Sequence, residues 1–223
     1  MRFLLYNPNS NVALTGELGR TLQSFLQSGD SLDTATPTEG PPFIGSDETI
    51  CRARSSMAEV LPPRTARTDA VILGCFGDLG VDDLRRQTGR PIVSLWDACW
   101  AETALSGQRF AILTTSPFWV ERLRADINGH GLAGRFPMVR AIEAPPSAGR
   151  AQLLRICRPS IDELAQRGDV DGVVLGGALL AVLVEELQRD TQIYLYDTLR
   201  AATRIARALA VAPPHAASGR SPA

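Results

Sequence analysis

The sequence predicts an α/β protein of two pseudo-symmetric lobes, each with a mainly parallel sheet flanked by helices. Three observations predict it. Short apolar runs alternate with longer segments of helical period, the pattern of parallel strands joined by helical crossovers. The same layout occurs in both halves of the chain. In each half one strand ends in a polar turn and a later one in a glycine-containing turn. These pairs are Asn9-Ser10 with Cys75-Phe76-Gly77, and Thr114-Thr115 with Gly177-Ala178. In parallel sheets ligands sit beyond the carboxyl ends of strands, where all four turns fall.

The elements follow in order. Arg2–Tyr6 reads as a buried strand ended by Asn7-Pro8-Asn9. Residues 15–27 read as a helix, with Leu18, Leu22, Phe25 and Leu26 at helical spacing. Gly40-Pro41-Pro42 marks a loop, and 46–61 reads as a second helix. Ala70–Leu73 is a short apolar strand entering Gly74-Cys75-Phe76-Gly77-Asp78, followed by a turn and short helix. The next strand is 91–95, and a helix runs on through Ala104. The second half restarts with strand 110–113, which enters Thr114-Thr115-Ser116-Pro117. Residues 118–128 are helical, 129–134 form a turn region, and Arg150–Arg167 is a long helix interrupted or restarted near Pro159. Strand 170–175 enters Gly176-Gly177-Ala178, and helix 181–189, strand 193–196 and helix 198–210 complete the chain. We place lobe 1 at 1–97 plus 198–211, lobe 2 at 98–197, and a disordered Pro-, Ala- and Ser-rich tail at 212–223.

Composition narrows the chemistry. A chain of 223 residues suffices for one large α/β domain or two small lobes sharing a cleft. A net charge of −1 offers no field to recruit nucleic acid or an anionic membrane. All 23 basic residues are arginine, which excludes a Schiff-base lysine and with it pyridoxal phosphate chemistry, and also a P-loop lysine. No run approaches the roughly 20 apolar residues of a membrane helix. The start MRFLLYNPNSN has no small-residue cleavage site, so a cytoplasmic protein is expected. Cys51, Cys75, Cys99 and Cys157 form no CxxC pair and are expected as free thiols. His130 and His215 are far apart, and no metal site is expected.

Cys75 is the sharpest candidate for chemistry. It follows a buried strand and precedes a glycine-containing turn, whose backbone N–H groups could stabilise a thiolate facing the cleft. A buried structural cysteine is the competing reading. Asn9, Ser10, Thr114 and Thr115 are short polar side chains at strand ends, suited to a small carboxylate or imide, or to capping helices. Ser116, just before Pro117, reads as a helix cap. Gly176-Gly177-Ala178 would admit a ligand close to backbone or simply make a tight turn. Cys51, Cys99 and Cys157 fall in predicted helices and read as small hydrophobes. Asp97 orients a partner or caps the following helix. Trp96, Trp100 and Trp119 read as packing groups.

Several segments, in order along the chain, carry a resemblance. Residues 1–10 are similar to the "INPNTS" opening of hydantoin racemases, and Gly40-Pro41 with Ile44 to their GP-x-x-I segment. Val71 to Asp78 (VILGCFGD) closely resembles the "IACFGDPG" motif around the first active-site cysteine of that family. Phe110 to Thr115 resembles "FxVxTT", and Val173 to Ala178 (VVLGGA) lines up with "LGCAG" around the second cysteine. Together they identify a resemblance to the aspartate/glutamate/hydantoin racemase superfamily. The resemblance implies a site between the two lobes, no cofactor, and a small-molecule substrate with a carboxylate, imide or carbonyl group, in a homo-oligomer. It implies Cys75 as catalytic acid/base, with Asn9, Ser10, Phe76, Gly77, Thr114, Thr115, Gly177 and Ala178 as substrate-binding positions. In that family one cysteine per lobe flanks the carbon beside the carbonyl; one removes its proton and the other returns a proton on the opposite face.

This chain departs from the pattern at the second cysteine, where it has Gly177. Cys75 and Gly177 cannot run a symmetric two-thiol racemisation. The first motif also has Leu79 in place of proline, and Phe118 stands where carboxylate-recognising relatives have tyrosine. A one-base racemase, epimerase or isomerase leads on overall motif similarity. An arylmalonate-type decarboxylase comes second, and an inactive small-molecule binding protein third.

Overall fold

A computed structural model describes residues 1–145 and 147–212 of the chain. Its elements run β1 (Arg2–Tyr6), α1 (Val12–Gln23), β2 (Ser31–Ala35), α2 (Asp47–Thr65), β3 (Ala70–Leu73), α3 (Val81–Thr88), β4 (Ile92–Ser94) and α4 (Leu95–Ser106). The second half runs β5 (Phe110–Thr114), α5 (Pro117–Gly129), β6 (Met138–Ala141), α6 (Arg150–Arg167), β7 (Gly172–Gly176), α7 (Ala178–Ala181), α8 (Val184–Gln188), β8 (Tyr194–Tyr196) and α9 (Thr198–Val211). The strands form two four-stranded sheets, β2-β1-β3-β4 and β6-β5-β7-β8. Every pairing is parallel. The α/β architecture and the repeat of its layout are as predicted. The tail beyond residue 212 and His215 lie outside the described residues.

The inner strands are buried along their length: β3, β5 and β7 entirely, and β1 from its second residue. Helices cover both faces of such strands, so no polar alternation survives. Helix α9 follows the second sheet yet packs on β3, β4 and α4 of the first half. Helix α4 spans positions 95–106, across the expected lobe boundary, so the chain passes between sheets through a helix rather than a flexible linker.

Five elements differ from expectation. The edge strands β2 and β6 were not anticipated: each buries only one residue, Ala35 and Val139, and has no apolar run to read. Helix α2 continues through Pro62 and Pro63, where Thr65 Oγ1 donates to the Pro62 carbonyl at 2.9 Å. Helix α6 is uninterrupted at Pro159, because Leu153, Leu154, Cys157, Ile161 and Leu164 stay on one buried face across it. Packing there outweighs the lost main-chain hydrogen bond. The helix expected at 181–189 is two short ones, α7 and α8.

Cys99 and Cys157 are fully buried. Cys51 is exposed, so its reading as a core hydrophobe is corrected: it lies on the solvent face of α2. All four cysteines are free thiols. Asp97 caps α4 together with Ser94 and accepts from Arg85, a structural role.

Candidate active site

The two sheets place Cys75 and Gly177 in equivalent positions. Tyr6 on β1 pairs with Leu73 on β3, and Leu113 on β5 pairs with Leu175 on β7. Two residues beyond Leu73, the Cys75 N–H turns back to the Leu73 carbonyl at 2.7 Å. Two beyond Leu175, the Gly177 N–H does the same to the Leu175 carbonyl at 3.1 Å. Each tight turn ejects the next residue from the sheet at its carboxyl end.

Both turns open on one cavity of about 50 Å³. Pro8, Asn9, Leu14, Phe43, Ile44, Gly74, Cys75 and Phe76 line it from the first half, and Thr115, Trp119, Gly176, Gly177, Ala178 and Leu179 from the second. Of the residues singled out in the sequence, Cys75, Phe76, Asn9, Thr115, Gly177 and Ala178 meet there. Ser10, Gly77 and Thr114 do not line it. Ser10 fixes the loop above through its N–H to the Pro41 carbonyl at 2.9 Å. Thr114 is buried behind the wall.

Gly77 acts indirectly. A Cβ there would lie 2.3 Å from Trp119 Cζ3, so only glycine lets that ring lie against the Cys75 turn. Trp119 is then held by its Nε1–H, which donates to the Ile44 carbonyl at 2.9 Å. Gly176 plays the matching part: a Cβ would meet Phe76 Cε1 at 3.0 Å, so the Phe76 ring of one half seats on the backbone of the other. Reading Trp119 as a packing group was incomplete, since it also lines the cavity. Ile44 was noted only as part of a motif and not as a site residue, and Phe43 and Leu179 were missed, because nothing local in the sequence shows that they reach the same space.

Asn9 is oriented by its neighbours. Its Oδ1 accepts from Asn7 Nδ2 at 2.9 Å and from the Asn11 N–H at 3.0 Å. Asn7 is fully buried and also bonds Thr15 Oγ1 at 3.0 Å. With its oxygen occupied, Asn9 presents its Nδ2 donors.

Burial pushes the Cys75 thiol up to about 12, and the Asp78 carboxylate adds to the rise; the Phe76 N–H opposes it. Stabilisation of a resting thiolate, expected from the turn, is therefore corrected: desolvation outweighs the backbone donor. At neutral pH Cys75 is a protonated acid.

Ser116 stands at the first boundary of α5, but its hydroxyl makes no capping bond, contrary to expectation. Its Oγ is buried with no hydrogen-bond partner among the described residues.

The model of the Asp/Glu/hydantoin racemase family matches residues 4–206. The chain belongs to that family. Hydantoin racemase from Paenarthrobacter aurescens is 26% identical over 214 residues, covering 94% of this chain and 91% of that protein. Allantoin racemase from Klebsiella pneumoniae superposes with a TM-score of 0.86 at 22% identity, over 94% of this chain and 87% of the other. A liganded double mutant of arylmalonate decarboxylase gives a TM-score of 0.67 at 17% identity, covering 96% of each chain. Among the described residues no helix is long and apolar enough to cross a membrane.

Proposed function

We propose that the protein is an isomerase-type enzyme that moves a proton at a carbon next to a carbonyl, with Cys75 as a one-sided acid/base. The observation that carries this reading is the cavity itself. Cys75 is the titratable side chain among those that line it, and its counterpart in the second half is Gly177.

The walls favour a particular kind of substrate. They contain aromatic and aliphatic groups, with Asn9 and Thr115 as polar side chains and, among the described residues, no arginine or histidine. A buried carboxylate needs a cationic or multiply hydrogen-bonded partner. An uncharged imide or amide carbonyl with an apolar substituent suits these walls better. That choice agrees with relatives named as hydantoin and allantoin racemases.

The protonation state sets the direction of the first step. The neutral thiol gives its proton to an enol or enolate carbon: the S–H bond breaks, a C–H bond forms with the enolate electron pair, and a thiolate remains. The thiolate then takes a proton from solvent, or removes the same carbon-bound proton in the reverse direction. Asn9 Nδ2 and Thr115 Oγ1 are suited to hold the carbonyl oxygen as charge develops on it.

The raised thiol also favours a second reading, a decarboxylase. There the substrate's C–C bond breaks, carbon dioxide leaves, and Cys75 protonates the resulting enolate. The likeness to arylmalonate decarboxylase is consistent with that route.

The test uses a 5-substituted hydantoin, allantoin and an arylmalonate, each incubated with wild type and Cys75→Ser. Cys75→Ser is expected to lose turnover while its circular dichroism is unchanged. Retained turnover would rule out chemistry at Cys75.

A further inference from the structure

We propose that Asn7 is a positioning residue for the reaction: anchored by Thr15, it holds Asn9 with its amide nitrogen turned to the Cys75 cavity. The inference rests on the proposed function and names the device that makes this wall of the site recognise a hydrogen-bond acceptor.

An amide side chain has two ends of nearly the same shape and opposite polarity. Asn9 lines the cavity, so the end it shows there decides which ligand atom it can hold. Nothing in the Asn9 side chain itself makes that choice.

The choice is made behind it. Asn7 is fully buried at the end of β1, with its own N–H bonded to the Ala35 carbonyl at 3.0 Å. Its Nδ2 faces three acceptors: Asn9 Oδ1 at 2.9 Å, Thr15 Oγ1 at 3.0 Å and the Asn11 carbonyl at 3.2 Å. A carbonyl can only accept. Thr15 Oγ1 is made an acceptor toward Asn7 as well, because its one hydrogen goes to that same Asn11 carbonyl at 3.1 Å. Thr36 Oγ1 donates to Thr15 Oγ1 at 2.7 Å. Turning the Asn7 amide over would set oxygen against oxygen in a buried place, where an unmade hydrogen bond costs most.

Asn7 is thereby a donor toward Asn9. The Asn11 N–H, which can only donate, reaches the same Asn9 Oδ1 at 3.0 Å. Two donors converge on one oxygen, and the Asn9 nitrogen is left for the ligand. A carbonyl or enolate oxygen satisfies it, whereas an imide N–H does not. The polarity of a half-buried residue at the cavity is thus set by a fully buried one that does not line it.

The experiment follows deuterium exchange into 5-benzylhydantoin. Asn7→Leu, which removes the donors at similar size, is expected to lower kcat about ten-fold, the worth of one hydrogen bond. KM is expected to stay within about three-fold, because a donor to a developing oxyanion acts chiefly on the transition state. Thr15→Val is expected to lower kcat in the same way, and Thr15→Ser, which keeps the hydroxyl, to restore it. A residue that only supports the fold would lower the melting temperature and leave kcat of the folded protein unchanged; that result would overturn the proposal.

A second measurement needs no ligand and decides the matter if Asn7→Leu does not fold. Asn9→Asp places a carboxyl where the two donors converge. Titration by carbon-13 NMR is expected to find its pKa below the ordinary value of about 3.9, because both donors favour the charged form. Adding Asn7→Leu, where that protein folds, is expected to raise it. A pKa at or above 3.9 in Asn9→Asp alone would mean that an acceptor faces position 9 and would overturn the proposal. Absent exchange with wild type would sink the Cys75 chemistry, while a lowered carboxyl pKa would still uphold the polarity that Asn7 sets. Normal exchange with a raised pKa would sink Asn7 alone.

Discussion

Alkylation of Cys75 is expected to be far slower than that of an ordinary thiol. Iodoacetamide reacts with thiolate, so the rate follows the ionised fraction. An unperturbed thiol, with a pKa of about 8.5, is half ionised at pH 8.5. With Cys75 pushed up to about 12, roughly one molecule in 3,000 carries the thiolate at that pH. The expected rate is therefore about three orders of magnitude below that of an unperturbed thiol. Exposed Cys51 gives an internal reference in the same sample. The assay is peptide-resolved mass spectrometry of the ligand-free protein between pH 6 and 11. Labelling of Cys75 should climb about ten-fold per pH unit with no plateau below pH 11. A plateau with a midpoint below 8.5 would refute the account of Cys75 as a resting acid.

Gly177→Cys should fold with little change in stability: its backbone lies close to fully extended at φ 160°, and the new Cβ would meet only Thr115 Cγ2, at 4.0 Å. Chiral chromatography should then reveal slow two-face racemisation of a bound hydantoin, and its absence would count against the equivalence of positions 75 and 177. Gly77→Ala should cost about 1–3 kcal/mol by forcing Trp119 off the turn. Urea unfolding with tryptophan fluorescence measures it, and an unperturbed midpoint would contradict the contact. Asp30 takes hydrogen bonds from Arg207, the Met1 amine and the Gln27 N–H, and Arg207 holds its carboxyl well below the usual carboxylate range. Its contribution is complete above the unfolded pKa of about 3.9 and is lost as pH falls through the folded value. Asp30→Asn should lower the melting temperature at pH 7, and the gap from wild type should narrow below about pH 4.

What the sequence revealed follows from where its residues pack. Strands β1, β3, β5 and β7 are legible because burial on both faces writes them as continuous apolar runs. Strands β2 and β6 are not, since an edge strand with one buried residue looks like loop. Pro159 suggested a break in α6 because its own chemistry was visible and the buried face supporting the helix was not. The Cys75 turn was legible as a glycine-bounded strand end. Its electrostatics were not, because the thiol is raised chiefly by burial, and how deeply Cys75 is buried shows only in the folded protein. Gly77 was read as a ligand-facing position when its role is to seat Trp119. Ser116 was read as a cap from its place before a proline, and only the folded arrangement reveals that its hydroxyl goes unused.

The measurement that tests the one-sided role of Cys75 most directly follows a single enantiomer of 5-benzylhydantoin with wild-type enzyme in deuterium oxide. Spontaneous exchange is subtracted with a parallel Cys75→Ser sample. Chiral chromatography with mass detection reports deuterium and configuration together. A one-base site predicts deuterium entering at the stereocentre with retention, the label accumulating in the starting enantiomer. Efficient formation of the deuterated opposite enantiomer by wild type would contradict it and would require a second proton donor on the Gly177 side.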